Sequence, residues 1–593
     1  MPMSSDAAAS TIGLVQLALQ LPRMATEIPS LARGALGLTR KPDARESIGR
    51  VFQDLARRQP DRPFIRFDGA SISYRQANER VNRYADALVQ QGVERGDVVG
   101  ILMKNRPETL LLTLAAVKLG AVAGMLNHNQ RGEVLAHSLS LLDSRVLVVG
   151  EECDEAISSL SGAPHADTVL SAGKLDELAE SADPSNPAVC EQIQAKERAF
   201  YIFTSGTTGM PKASLMSHFR WLKSMSGLGA MGVRLRRNDT LYCALPLYHN
   251  NALTVSLSSV LSSGATFAIA RTFSASRFWD DAKRNGATAF VYIGEVCRYL
   301  LNQPERPSDR HNGIRLMVGN GLRPEIWTEF TERFGIDRVA EFYGASECNI
   351  AFVNALGVER TAGVCPLPHA VVEYDQDTGR ARRARDGRLR RVRVGEVGLL
   401  LSKVTDRAPF DGYTDPEATE SKLVRDAFKD GDCWFDTGDL VRDQGFMHVA
   451  FVDRLGDTFR WKGENVATTE VEGAMSAHPA IEQSVVYGVA VPGADGKAGM
   501  AAVTLRDGHE LDGARLAAHL FDRLPSYAVP LFVRVVDSLE TTSTFKSRKV
   551  ELREEAYSSD VERLYVLAGR RDGYRPAYDG YVREVADGTA PGA

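Results

Sequence analysis

Residues 98–126 read as strand, helix, strand, and this unit restricts the fold more sharply than anything else in the chain. Val98-Val99-Gly100-Ile101-Leu102-Met103 is an apolar run of buried-strand length. Pro107–Lys118 predicts a helix, opened by Pro107 and closed by Gly120. Ala121–Leu126 then returns as a second strand. Two strands joined by a helical crossover lie parallel, and parallel sheets are buried on both faces. The expected class is therefore α/β, with a large N-terminal domain of parallel and mixed sheets flanked by helices.

At 593 residues the chain exceeds what one core serves, since single cores stop growing near about 250–300 residues. Past Val452 the character changes. Val485–Val489, Met500–Leu505 and Leu531–Val536 read as short strands, and Leu511–Leu524 as a helix. This predicts a small α+β C-terminal domain with a boundary near Asp453–Asp457. The expected division is an extension over 1–45, a large domain over 46–453 and a small one over 457–593.

Charge and cysteine usage exclude several classes. With 71 Lys+Arg against 76 Asp+Glu the net charge is −5, which provides no field for nucleic acid. The seven cysteines are scattered and include no C-x-x-C, against a disulfide framework or zinc site and for a reducing compartment. No apolar run reaches the ~18 residues of a spanning helix. No basic residue precedes the apolar run Ile12–Leu21, so no secretory signal is expected. A cytoplasmic protein follows.

Residues 1–41 carry Leu14, Leu17, Leu21, Ile28, Leu31 and Leu38 among Arg23, Arg33, Arg40 and Lys41, with Pro22 and Pro29 interrupting. One reading is a basic amphipathic segment on the inner face of the cell membrane; the other is a frayed extension docked on the body. On the first, a chain starting near Lys41 stays soluble and active. Residues 153–198 look like a variable surface stretch. Eight arginines over 376–394 are read as a solvated hairpin in preference to a polyanion or headgroup patch.

Three apolar runs each end in a small or polar cluster: Phe200–Phe203 before Thr204-Ser205-Gly206, Ile314–Val318 before Gly319-Asn320-Gly321, and Val339–Phe342 before Tyr343-Gly344-Ala345-Ser346-Glu347. In open α/β sheets ligands bind beyond the carboxyl ends of strands, so these loops are expected to converge on one cleft. In Thr204-Ser205-Gly206-Thr207-Thr208-Gly209-Met210-Pro211-Lys212, successive backbone N–H groups can form an anion nest, with hydroxyl donors and a lysine beside it. It is not a Walker loop, because Gly206 and Gly209 stand too close. Gly227–Gly232 fits G-x-G-x-x-G but follows a helical stretch rather than a strand, so dinucleotide binding is not expected.

Thr204–Lys212, Tyr343–Glu347, Trp434–Asp439 and Asp453–Glu470 resemble, in order, the core motifs of the adenylate-forming superfamily. Lys118–Ala121, Leu126–Arg131, Pro409-Phe410-Asp411-Gly412-Tyr413 and Thr544-Phe545-Lys546 resemble its very-long-chain acyl-CoA synthetase and fatty acid transport protein branch. The resemblance implies ATP, Mg²⁺ and coenzyme A, and a fatty acid substrate. A carboxylate attacks the α-phosphate to give acyl-AMP and pyrophosphate, and a thiol then displaces AMP. It implies that Thr204, Ser205, Gly206, Thr207, Thr208, Gly209 and Lys212 hold phosphates, with Thr207 among the catalytic groups, and that Glu347 holds the metal. Tyr343, Gly344, Ala345 and Ser346, with Gly321 and Arg323, border the nucleotide, and Asp439 takes the ribose hydroxyls beside Arg454.

Lys546 would be delivered to the α-phosphate by a mobile small domain, with Lys549 a rival three residues on. Leu455-Gly456-Asp457 would be the hinge. Lys462, Gly463 and Glu464 would line the thiol path. His249, in Leu245–Leu253, would position the carboxylate. Leu253 would border the acyl pocket where some long-chain relatives carry a gating tryptophan. Alternatives left open are a fatty-acyl-AMP ligase loading a carrier protein, a ligase for a steroid side-chain acid, and a membrane fatty acid carrier. Coupling to fatty acid uptake and a homodimer also stay open.

Overall fold

The computed structural model describes residues 11–24, 27–205, 210–345, 348–375, 378–462, 464–492, 494, 496–539, 549–557, 563–587 and 589. The strand–helix–strand unit forms as expected. Val98–Leu102 and Val122–Met125 pair in parallel in the middle of a six-stranded sheet. The helix Pro107–Leu119 between them ends at Gly120, which adopts φ 78°, a left-handed cap that glycine takes at least cost. The helix is buried nearly all round. Its Lys118, fully buried, donates to the side-chain oxygens of Asn78, Asn82 and Asn186 at 2.7, 2.6 and 2.6 Å.

Arg198–Ser205 lies beside Val122–Met125 and turns back antiparallel as Pro211–Ser217. A second sheet, of fourteen strands, runs in parallel through Pro63–Phe67, Thr266–Ile269, Thr240–Cys243, Ala289–Ile293, Leu316–Asn320 and Arg338–Tyr343. It continues antiparallel through the long pair Cys433–Gly445 and His448–Arg454. One apolar core fills the space around these layers and draws on both sheets. Asn105 links the sheets: its Nδ2 donates to the carbonyls of Leu245 and Ala270 at 2.8 and 3.0 Å, and its Oδ1 accepts from Leu247 at 2.8 Å.

A third sheet is built from Ile481–Ala490, Lys497–Leu505, Phe532–Val535, Leu564–Leu567 and Tyr574–Pro576. The helices Thr468–Ser476 and Gly513–Phe521 accompany it, and Val486, Met500, Leu516 and Phe532 pack in a core of its own.

Two expectations change, and the hairpin reading of the arginine run holds. Residues 153–198 are not merely surface: they supply the edge strand Ala166–Ser171 and the helix Ala172–Glu180, whose Leu175 is buried. An edge strand buries alternate residues only, which leaves its sequence polar. The N-terminal segment forms two helices, Leu14–Met24 and Ile28–Gly37. Pro22 falls in the last turn of the first, at the cost of its i→i−4 hydrogen bond, and Pro29 opens the second, where no such bond is lost. The second helix is docked through buried Gly34 and Gly37, with Glu27 paired to Arg234 and 3.8 Å from Arg338. A chain starting at Lys41 would strip that contact, so a truncation should end before Glu27. The arginine run folds as hairpins: Tyr374–Asp375 pairs with Arg380–Ala381, and Arg383 bridges Leu389.

Candidate active site

The two strands around the phosphate-loop motif pair as far as Thr204 with Lys212 and Ser205 with Pro211, which pins both ends of residues 206–209. Gly206, Thr207, Thr208 and Gly209 lie outside the described residues. The half-buried Lys212 holds its ammonium 5.8 Å above the ring of Tyr413. The Pro409–Tyr413 motif runs along the outer edge of Pro211–Ser217, with Leu215 donating to Gly412 O at 3.1 Å.

Arg220, in the helix His218–Ser224, ties this edge to its neighbours. Its guanidinium donates to the carbonyls of Leu215 and Cys348 at 2.8 and 2.9 Å and lies 3.4 Å from Asp411 Oδ2. Asp411 also accepts the Ser217 amide at 2.9 Å. One buried cation thus joins the strand after the phosphate loop to the residue after Glu347. Neither Arg220 nor the role of Asp411 was signalled by any spacing.

The carboxyl ends of Leu316–Asn320 and Arg338–Tyr343 lie side by side. Gly321 takes φ 82°, and its carbonyl would sit 1.8 Å from a Cβ placed on Gly294, so Gly294 must be glycine. The amides of Gly321 and Leu322 both donate to Glu341 Oε1, at 2.6 and 3.3 Å, and the Tyr292 hydroxyl donates to the other oxygen. Burial pushes the Glu341 carboxyl up to about 8 against the pull of those hydrogen bonds. Glu341 holds the Gly321–Arg323 shelf from below. Its only sequence signal is a carboxylate inside an apolar strand, two residues before Tyr343.

Tyr343 is buried, and its hydroxyl donates to Asp439 Oδ2 at 2.5 Å. Burial first, and Asp439 second, raise the phenol well above its ordinary value. The other Asp439 oxygen lies 3.8 Å from Arg454 Nε, its partner across the ladder. Phe451, half exposed, stacks on Tyr343 at 6.2 Å and 25°. Sequence reading missed Phe451, three residues before Arg454. Gly344 and Ala345 follow at the strand end; Ser346 and Glu347 lie outside the described residues.

The Arg323 guanidinium faces away from that shelf, 3.2 Å from Glu472 and 3.7 Å from Glu295. Its guanidinium therefore serves the contact between large and small domains, and only its backbone belongs to the shelf. Glu472 also meets Lys549 at 3.1 Å, and Lys549 donates to Thr468 Oγ1 at 3.0 Å. Asp453 accepts from the Thr468 amide at 2.6 Å, and burial, opposed by Lys549, pushes its carboxyl up to about 6. Lys546 lies outside the described residues.

His249 accepts the Asn251 amide at 3.3 Å. Asn251 reaches Asn320 Oδ1 at 3.3 Å, which fastens this loop to the shelf. Leu253 is fully buried, and its carbonyl accepts from Trp221 Nε1 at 2.9 Å. Lys462 and Glu464 are exposed at the tip of the hairpin Phe459–Trp461 and Glu464–Val466, with Lys462 at φ 51°; Gly463 lies outside the described residues. Among the described residues no cluster of three His, Cys, Asp or Glu could hold a metal ion unaided.

Tyr343, Asp439 and Arg454, beside the Gly321–Leu322 backbone, gather an aromatic face, a short carboxylate and an arginine at neighbouring strand ends. The AMP-binding enzyme model matches residues 52–397, and the AMP-binding enzyme C-terminal domain model matches residues 470–546. The chain belongs to the AMP-binding enzyme family. It is 57% identical to the medium/long-chain-fatty-acid–CoA ligase FadD6 of Mycobacterium tuberculosis, covering 98% of each chain. It is 38% identical to long-chain fatty acid transport protein 2 of Rattus norvegicus, covering 97% of this chain and 95% of the relative. Among solved structures, ATP-bound MatB from Rhodopseudomonas palustris aligns with TM-score 0.73 at 24% identity, covering 85% of this chain and 98% of the other. That likeness shows the shared fold.

Proposed function

We propose that this protein is a medium- to long-chain fatty-acid–CoA ligase. The carrying observation is 57% identity, over 98% of the chain, to a ligase of that class. In the first step a fatty carboxylate oxygen attacks the α-phosphorus of ATP. The α–β bridging bond breaks, pyrophosphate leaves and acyl-AMP forms. In the second the thiol of coenzyme A attacks the acyl carbon, AMP leaves and its proton passes to solvent. Both steps depend on positioning and on donors placed where charge develops.

The adenine would lie on the Gly321–Leu322 backbone against Tyr343 and Phe451, and Asp439 would take the ribose hydroxyls. Thr204–Gly209 and Lys212 would hold the phosphates. Glu347 would hold Mg²⁺, which when bound neutralises phosphate charge. His249 would position the carboxylate, and Lys462, Gly463 and Glu464 would border the thiol path. Lys549 is engaged by Glu472 and Thr468 within the small domain, which favours Lys546 as the lysine delivered to the α-phosphate. Peripheral attachment to the inner face of a membrane and association as a homodimer belong to the same reading. Vesicle sedimentation and light scattering test them.

The deciding experiment offers the purified protein ATP, Mg²⁺ and coenzyme A with fatty acids from medium to very long chain, plus one steroid side-chain acid. AMP and thioester should form in equal amounts with the fatty acids. Pyrophosphate and acyl-AMP without thioester or free AMP would favour transfer to a carrier protein instead.

A further inference from the structure

The two N-terminal helices turn their apolar sides outward. On Leu14–Met24 the residues Leu14, Val15, Ala18 and Leu19 share one face, and Leu14, Val15 and Leu19 are 68, 73 and 69% exposed. On Ile28–Gly37 the outward residues are Ile28, Ala32, Ala35 and Leu36, with Arg33 among them. The inward side carries Gly34 and Gly37, and a Cβ at Gly34 would fall 2.7 Å from the Ser226 carbonyl. A helix docked on a core ordinarily buries its large apolar residues. Here Leu17, Leu31 and Leu38 are only half-buried beside the docked glycines while Leu14, Val15, Leu19, Ile28 and Leu36 face water, and exposed apolar area of this kind marks an interaction surface.

The surface continues onto the body. Ile12, buried, donates its amide to Gln444 O at 2.9 Å, so the first helix starts beside the turn that joins Cys433–Gly445 to His448–Arg454. That two-residue turn is Phe446-Met447, 49 and 58% exposed. Both residues have positive φ, 49° and 63°, the type I′ geometry that favours Asn-Gly. A bulky apolar pair held in that geometry carries a conformational cost, which such sites keep for function. Val394 is exposed beside them, 3.3 Å from where a Gly445 Cβ would stand. The arginine run ends here at exposed Arg393, and Arg360, whose carbonyl accepts from Gln444 Nε2 at 3.4 Å, stands on the other side. Three carboxylates share the region, Glu359, Glu396 and Asp443; Glu396 accepts the Arg393 amide at 2.8 Å and Asp443 the Gly445 amide at 2.9 Å.

We propose that the outward faces of the two helices, Val394 and the Phe446-Met447 turn form one continuous lipid-contacting surface for an anionic bilayer. Arg33, Arg360 and Arg393 meet headgroup phosphates at its rim. The inference rests on the peripheral-attachment reading above. It adds a second anchor on the large domain, and two anchors fix how the body is oriented on the membrane.

The test pairs Phe446→Asn with Met447→Gly. The double variant supplies the residues the turn geometry prefers, so folding is preserved while the apolar tip is removed. The whole protein is sedimented with vesicles of phosphatidylcholine and phosphatidylglycerol, and with phosphatidylcholine alone. Wild type should bind the anionic vesicles, and the double variant should bind about tenfold more weakly or worse. Melting temperature and turnover of a water-soluble medium-chain acid should hold. A wild type that binds neither vesicle overturns the peripheral-attachment reading itself. A wild type that binds, with a double variant that binds equally, overturns the turn's role alone. A double variant with unchanged vesicle binding and a smaller assembly by light scattering makes the patch a contact between copies, which also overturns the proposal.

Discussion

Glu341→Gln should flatten a pH dependence of stability that the buried carboxyl imposes on the wild type. Burial raises this group from 4.5 to about 8, so the folded state prefers its protonated form. The stabilisation is whole below pH about 4.5 and is lost as pH rises through about 8. At about 1.4 kcal/mol per unit, the rise from 4.5 to about 8 is worth at most about 5 kcal/mol across that window. Glutamine does not titrate. Its carbonyl can accept the Gly321 and Leu322 amides, and its NH₂ can meet the Tyr292 oxygen. Thermal melts at stepped pH should therefore show the gap between the two proteins widening in favour of the glutamine variant as pH climbs. Glu341→Ala leaves the buried Leu322 amide without an acceptor, at about 1–3 kcal/mol, and the more open Gly321 amide without one as well, so the shelf should slacken. Its KM for ATP should rise about tenfold or more while the KM for the fatty acid stays put, and glutamine should restore it. Parallel melting curves for wild type and glutamine variant, or an alanine variant with an unchanged KM for ATP, would refute the reasoning.

Lys546→Ala should lose acyl-AMP formation by about 10²–10³, yet still make thioester from supplied acyl-AMP and coenzyme A. Lys549→Ala should instead lower the melting temperature, because it takes the cation from buried Asp453 and leaves buried Glu472 with Arg323 alone. Glu347→Gln should weaken magnesium-dependent adenylation and leave the circular dichroism spectrum intact; a normal adenylation rate would sink the metal assignment. Arg220→Met should cost about 3–5 kcal/mol, since it strands Asp411 and two carbonyls, and denaturant melts would show it.

What the sequence disclosed and what it withheld divide along sequence separation. The strand–helix–strand unit, the three strand ends and the small-domain strands were all legible, because periodicity and turn residues are local. Tyr343, Asp439 and Arg454 were legible through their motifs, and the structure joins them through one hydroxyl and one ladder pair. Glu341 and Arg220 were not. The partners of Glu341 lie 19, 20 and 49 residues away, and Arg220, besides the nearby Leu215 carbonyl, reaches residues 128 and 191 positions off, and no spacing couples positions so far apart. Lys118 stood in a quoted motif, but its three asparagine acceptors are 36 to 68 residues distant, so its burial was invisible. Arg323 was expected at the nucleotide from the family resemblance. The direction of a long side chain depends on what packs beside it, here Glu472 from the small domain.

The central claim is that a fatty carboxylate attacks the α-phosphorus. A fatty acid carrying heavy oxygen in its carboxyl group tests it in a single turnover with ATP, Mg²⁺ and coenzyme A. One heavy oxygen should appear in the phosphate of the released AMP, with unlabelled pyrophosphate beside it. Unlabelled AMP, or ADP with labelled inorganic phosphate, would contradict the account.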